Sequence, residues 1–145
     1  MIAVAESNSH LAMKALAFRE LSAEGYDMVF EPTYPPTRAM RWSRYRPDLF
    51  GSKSTGEVSE YVLVECETHP QMERLDRKEF FHLGVQGVLD AKRSLRRILI
   101  VPKGRLNALD MRIRTNCEIW VADVDRASDG GVAGLVKTVG PICRG

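Results

Sequence analysis

A chain of 145 residues with 44% hydrophobic and 28% charged side chains is long enough for one ordinary core and too short for two, so residues 1–145 read as a single α/β domain. Its 21 basic and 19 acidic residues leave a net charge of +2, which by itself points to no partner. There is no apolar run near the roughly 20 residues of a spanning helix and no basic-then-apolar leader at Met1–His10. Cys66, Cys117 and Cys143 fit no CxxC spacing. These features predict a cytoplasmic protein with reduced thiols and no membrane contact.

In chain order, Ser7 to Glu24 reads as a helix. Leu11, Ala15, Phe18 and Leu21 form its apolar stripe, Ser7 or Ser9 caps its start, and Gly25 ends it. Tyr26 to Glu31 alternates and reads as a strand. Pro32, Pro35 and Pro36 make the following stretch, to Ser43, a loop. Tyr45 to Phe50 reads as a short strand with Pro47 at its start or edge. Gly51 to Ser59 reads as a polar turn. Glu60 to Glu67 (EYVLVECE) is the strongest strand. By alternation, Tyr61, Leu63, Glu65 and Glu67 share one face, with Val62, Val64 and Cys66 on the other.

A second helix is expected between Gln71 and Lys92, although Gly84 and Gly87 weaken its continuity. Arg97 to Val101 is an apolar run suited to a buried strand, and Pro102 stops it. Leu106 to Arg112 reads as a short helix and Glu118 to Val124 as a last clear strand. Residues 126–145 read as a loose C-terminal segment with one short element at Val132–Val139. Close spacing makes the middle strands an antiparallel meander. Helical crossovers make the later ones parallel or mixed. The expected architecture is one mixed sheet flanked by helices.

Asp48 and the pair Glu65 and Glu67 are the residues that suggest chemistry. The chain from 48 to 65 has the shape of a hairpin, which sets the strands side by side and gathers the three carboxylates. Clustered carboxylates repel one another. A hard divalent cation relieves that repulsion, and oxygen donors suit magnesium or manganese. Such an ion activates water and stabilises charge on a transferring phosphoryl group. Basic residues are grouped locally. Arg38, Arg41, Arg44 and Arg46 interleave with Trp42 and Tyr45; Lys92, Arg93, Arg96 and Arg97 precede the apolar run; Lys103, Arg105, Arg112 and Arg114 follow it. Patches of this kind neutralise phosphates.

Pro47-Asp48, a polar hairpin and then Glu65-Cys66-Glu67 in an apolar strand resemble the PD-(D/E)xK nuclease superfamily. This is the restriction-endonuclease-like fold, which includes archaeal Holliday junction resolvases and DNA-repair nucleases. The resemblance spans roughly Glu6 to Val101. It implies a magnesium or manganese ion on Asp48, Glu65 and the backbone carbonyl of Cys66, with Glu6 on the leading helix as a weaker match. Glu67 stands where the family usually has lysine, a departure shared by some active type II restriction enzymes. The implied activity is metal-dependent hydrolysis of DNA, duplex or branched, by a homodimer. Arg38, Arg41, Arg44 and Arg46 would grip phosphates beside the cleft, and Glu67 would position or deprotonate water.

Each feature also has a plain explanation. Glu65 and Glu67 fit an exposed strand end. Glu6 is a favourable charge near a helix start. The arginine-rich loop suits solvent or a protein interface, where Trp42 and Tyr45 would be anchors. His69 and Lys78 read as surface residues, Gln71 is ordinary at a helix start, and the cysteines are small apolar fillers. The alternative functions are a catalytically inactive nuclease fold that binds nucleic acid or protein, and a small α/β component of a larger complex.

Overall fold

The computed structural model describes residues 7–31, 47–69, 93–106, 113, 117–126 and 131–140. Helix α1 spans Asn8–Ala23. Ser7 caps it, its hydroxyl accepting from the His10 amide at 3.2 Å. Gly25, at φ +100°, takes the left-handed conformation that turns the chain into the sheet. Six strands follow: β1 (Asp27–Phe30), β2 (Leu49–Thr55), β3 (Val58–Cys66), β4 (Arg93–Pro102), β5 (Glu118–Asp123) and β6 (Gly134–Val139). They lie in one sheet in sequence order. β1, β2 and β3 form an antiparallel meander, β4 and β5 continue parallel to β3, and β6 closes the far edge antiparallel. The protein is therefore an α/β fold on a mixed sheet, with the strand directions expected from the spacing.

Several boundaries differ from the sequence reading. The stretch Gly51–Ser59 is not a turn. β2 runs on to Thr55, which pairs with Val58 across the two residues Gly56 and Glu57. Its outer half is polar and partly exposed, so backbone pairing rather than side-chain pattern makes it a strand. The C-terminal segment is not loose over its described part. Ala133 is fully buried, its amide reaches the Ala12 carbonyl at 3.4 Å, and β6 pairs with β5. The apolar stripe of α1 is also out of phase. Leu11 and Phe18 are exposed, while Ala12, Met13, Leu16, Ala17 and Leu21 are buried. Helix α1 is apolar on most sides, so the 3.6-residue period could not choose the face that meets the sheet. The second helix lies outside the described residues. So does most of the short one.

The sheet has two packed faces. Val62, Val64 and Cys66 join Leu49, Ile98, Ile100, Trp120 and α1 in one cluster. Leu63 and Tyr61 join Phe50, Leu99, Val101, Ile113, Cys117, Ile119 and Val121 in the other. Alternation along β3 therefore assigns the faces as expected. Among the described residues no helix is long and apolar enough to cross a membrane.

Candidate functional site

The β2–β3 register pairs Leu49 with Val64. One step beyond that pair, Asp48 comes opposite Glu65. Two hydrogen bonds lock the step. The Asp48 amide donates to Glu65 Oε1 at 3.3 Å, and the Cys66 amide donates to Asp48 Oδ2 at 2.8 Å. Both carboxylates are thus aimed by backbone amides, which lose little on folding because the strands already fix them. Asp48 is 8% exposed, Glu65 0% and Glu67 3%. Glu67 follows β3 directly, with its amide bonded to the Ile100 carbonyl at 2.9 Å. Burial of three acids at one end of a core strand is not the solvated strand end of the plain reading. Oxygen donors of this kind suit a hard cation, and two carboxylates with waters and substrate phosphates are an ordinary magnesium set. Among the described residues, no three His, Cys, Asp or Glu side chains are already grouped to hold a metal ion.

Three further residues reach this end of the sheet. His10, in the first turn of α1, places Nε2 3.3 Å from Asp48 Oδ2. Lys14, one turn later on the same helix side, is 5% exposed. Its ammonium donates to Glu31 Oε1 at 3.0 Å. Glu31 follows β1 directly and binds the Asp48 carbonyl through its amide at 2.9 Å. It does so at φ +43°, a left-handed conformation costly for a non-glycine residue. None of the three stood out in the sequence. A lysine at position 14, inside a helix whose neighbours are apolar, was the available signal. Glu31 carried none, because only strand pairing brings it to Asp48.

Cys66 points into the α1 side of the core, away from Glu65. Burial pushes its thiol well above the usual range. Asp48 and Glu65 push it further, Lys14 pulls it back, and Glu67 adds a smaller upward effect. It is a protonated filler and no nucleophile. His69 is exposed, with Nδ1 3.2 Å from the Thr68 hydroxyl and Nε2 3.1 Å from an Arg105 nitrogen, the surface position expected of it. An arginine only donates, so Nε2 accepts and the proton of a neutral His69 sits on Nδ1. Glu6, Arg38, Arg41, Arg44, Arg46, Gln71 and Lys78 lie outside the described residues.

The sequence matches no protein-family model and no curated protein. Two solved structures are similar to the fold. One is an XisH family protein from Nostoc punctiforme PCC 73102, at 11% identity and a TM-score of 0.44 over 92% of this chain and 99% of that one. The other is an fdxN element excision controlling factor protein from Anabaena variabilis, at 11% identity and a TM-score of 0.44 over 91% of this chain and 98% of that one.

Proposed function

We propose that the chain is a metal-dependent phosphodiesterase acting on DNA, with a restriction-endonuclease-like core. The observation that carries this reading is the interlock of Asp48 and Glu65, two buried carboxylates each held by a backbone amide across the β2–β3 hairpin. In this reading magnesium or manganese sits on Asp48 and Glu65, with the Cys66 carbonyl as a further donor and Glu6 as a weaker one. When bound, the ion lowers the barrier by making a water nucleophilic and by offsetting charge on the phosphoryl oxygens. Asp48 and Glu65 hold it, and their amide partners keep them from turning away. Glu67 positions or deprotonates the attacking water. Arg38, Arg41, Arg44 and Arg46 bind phosphates flanking the scissile one. A homodimer would set two such sites across the two strands of a duplex.

The test is cleavage of a panel of labelled duplex, branched and single-stranded DNA, with an RNA arm, in magnesium and in manganese. The wild type should cut at least one DNA form, and Glu65→Gln and Asp48→Asn should lose at least 100-fold. Size-exclusion chromatography with light scattering tests the dimer. A second reading, a nuclease-like fold that binds nucleic acid or protein without cutting, is favoured by one observation: the third motif position holds the buried carboxylate of Glu67 instead of an ammonium. Nucleic-acid binding with no cleavage in either metal would select it. No effect of Arg41→Ala with Arg44→Ala on affinity would remove the arginine-rich loop from both readings.

A further inference from the structure

We propose that Lys14 contacts the scissile phosphate from α1 and is a catalytic residue of this site, the ammonium that position 67 lacks. The inference rests on the phosphodiesterase reading above. Its grounds are placement, burial and a strained neighbour.

Placement comes from the helix. His10 and Lys14 are four residues apart, so they lie on one side of α1. His10 Nε2 is 3.3 Å from Asp48 Oδ2, which directs that side toward the acidic end of the sheet. Burial sets Lys14 apart. Among the described residues it is the one buried cation, and the buried acids are Asp48, Glu65 and Glu67. Lysine is seldom buried without a charge partner. The strained neighbour is Glu31. Its amide is tied to the Asp48 carbonyl and its carboxylate to Lys14, at a backbone conformation that is costly for glutamate. The Glu31 side chain is 55% exposed, so it is the exchangeable member of the pair. A phosphate oxygen can take its place on the ammonium with no change in the core.

In the reaction, a water oxygen bonds to phosphorus and the bond from phosphorus to the leaving alkoxide breaks. The water loses its proton to Glu67, or to solvent when Glu67 only positions it, and the alkoxide takes one from solvent. Lys14 stays an ammonium throughout. It offsets the charge spread over the non-bridging oxygens, the role fixed donors fill best in a water-poor site.

The test uses the full chain with Lys14→Met, Lys14→Arg and Glu31→Gln, measuring three things. The first is the affinity for labelled duplex and four-way-junction DNA as a function of salt. The second is calorimetric Mn2+ affinity without DNA. The third is cleavage. Lys14→Met should lower the slope of log affinity against log salt by about one, the loss of one phosphate contact. It should keep or tighten Mn2+ binding, because a neighbouring positive charge has gone, and should cut cleavage at least 100-fold. Lys14→Arg should restore the slope. Glu31→Gln, which removes the competitor for the ammonium, should bind DNA several-fold tighter. A folded Lys14→Met with an unchanged slope overturns the proposal. So does joint loss of Mn2+ and DNA binding that Lys14→Arg does not restore, which marks a structural prop. If Lys14→Met does not fold, Glu31→Gln decides, and unchanged or weaker DNA binding overturns the proposal. A wild type that binds Mn2+ and DNA but cuts nothing sinks the hydrolytic reading and Lys14's catalytic role, while the slope still decides its phosphate contact. A wild type that binds no DNA overturns both.

Discussion

The Cys66 amide donates to Asp48 Oδ2 across 2.8 Å, joining the last residue of β3 to the residue just before β2. The bond satisfies a buried main-chain donor with a charged acceptor, so the same carboxylate serves the hairpin and the candidate site. Asp48→Ala leaves that donor unpaired, at a cost of about 1–3 kcal/mol in metal-free urea unfolding. Asp48→Asn, which keeps an acceptor oxygen, should lose less. On the proposed metal site, Mn2+ should raise the wild-type melting temperature with the logarithm of its concentration above Kd and leave that of Asp48→Ala unchanged. Equal stability of Ala and wild type would contradict the hydrogen-bond argument.

Stability should fall in alkaline solution because of the two described thiols. Burial holds Cys66 well above its ordinary range and pushes Cys117 up to about 12, the latter partly offset by Arg97. In the unfolded chain both ionise near their ordinary value of about 8.5. Above that pH the unfolded state sheds protons that the folded state keeps. The stabilisation is complete below that value and is lost as pH rises toward 12. The slope is up to about 1.4 kcal/mol per pH unit for each thiol. Cys117→Ala should flatten the fall measured by urea unfolding between pH 8 and 10, and an unchanged slope would count against the assignment.

Gly51 on β2 has no room for a side chain. A Cβ there meets the Met28 sulfur and lies 2.8 Å from Val62 Cγ1. Met28 is a flexible neighbour that can move, whereas Val62 is fully buried and branched. Gly51→Ala should cost about 1–3 kcal/mol, as overpacking of a core generally does. Gly51→Val should cost more. Thermal unfolding of the two variants checks the order.

Arg96 is a bidentate partner of Glu118, Nε donating to Oε2 at 3.2 Å and Nη2 to Oε1 at 3.0 Å, and it also reaches Glu24 and the Tyr26 hydroxyl. It clamps β4 to β5 and to the turn after α1. The pair is partly exposed, which screens it. Arg96→Met, which keeps the aliphatic stem, should cost about 1 kcal/mol. Arg96→Ala should cost more, since the stem's packing is lost as well. Equal losses would show that charge alone matters.

Much of this fold is legible in one dimension because its period is local. EYVLVECE announces a strand, alternation separates Glu65 from Cys66, and close spacing along the chain sets the segments that become β2 and β3 side by side as a hairpin. Ser7 and Gly25 mark the ends of α1 by capping chemistry that depends only on neighbours. The facing of Asp48 and Glu65 follows from the same hairpin logic. Position 67 was likewise visible as a carboxylate. What the sequence could not decide is whatever rests on contacts between distant segments. The face of α1 that is buried, the continuation of β2 through polar residues and the anchoring of β6 are set by backbone pairing and by which surfaces the sheet leaves open. The placing of His10, Lys14 and Glu31 around Asp48 has the same cause. They are 38, 34 and 17 residues away along the chain, and only the packing of a helix and an edge strand against the β2–β3 hairpin puts His10 on the Asp48 carboxylate, Glu31 on the Asp48 carbonyl and Lys14 on Glu31.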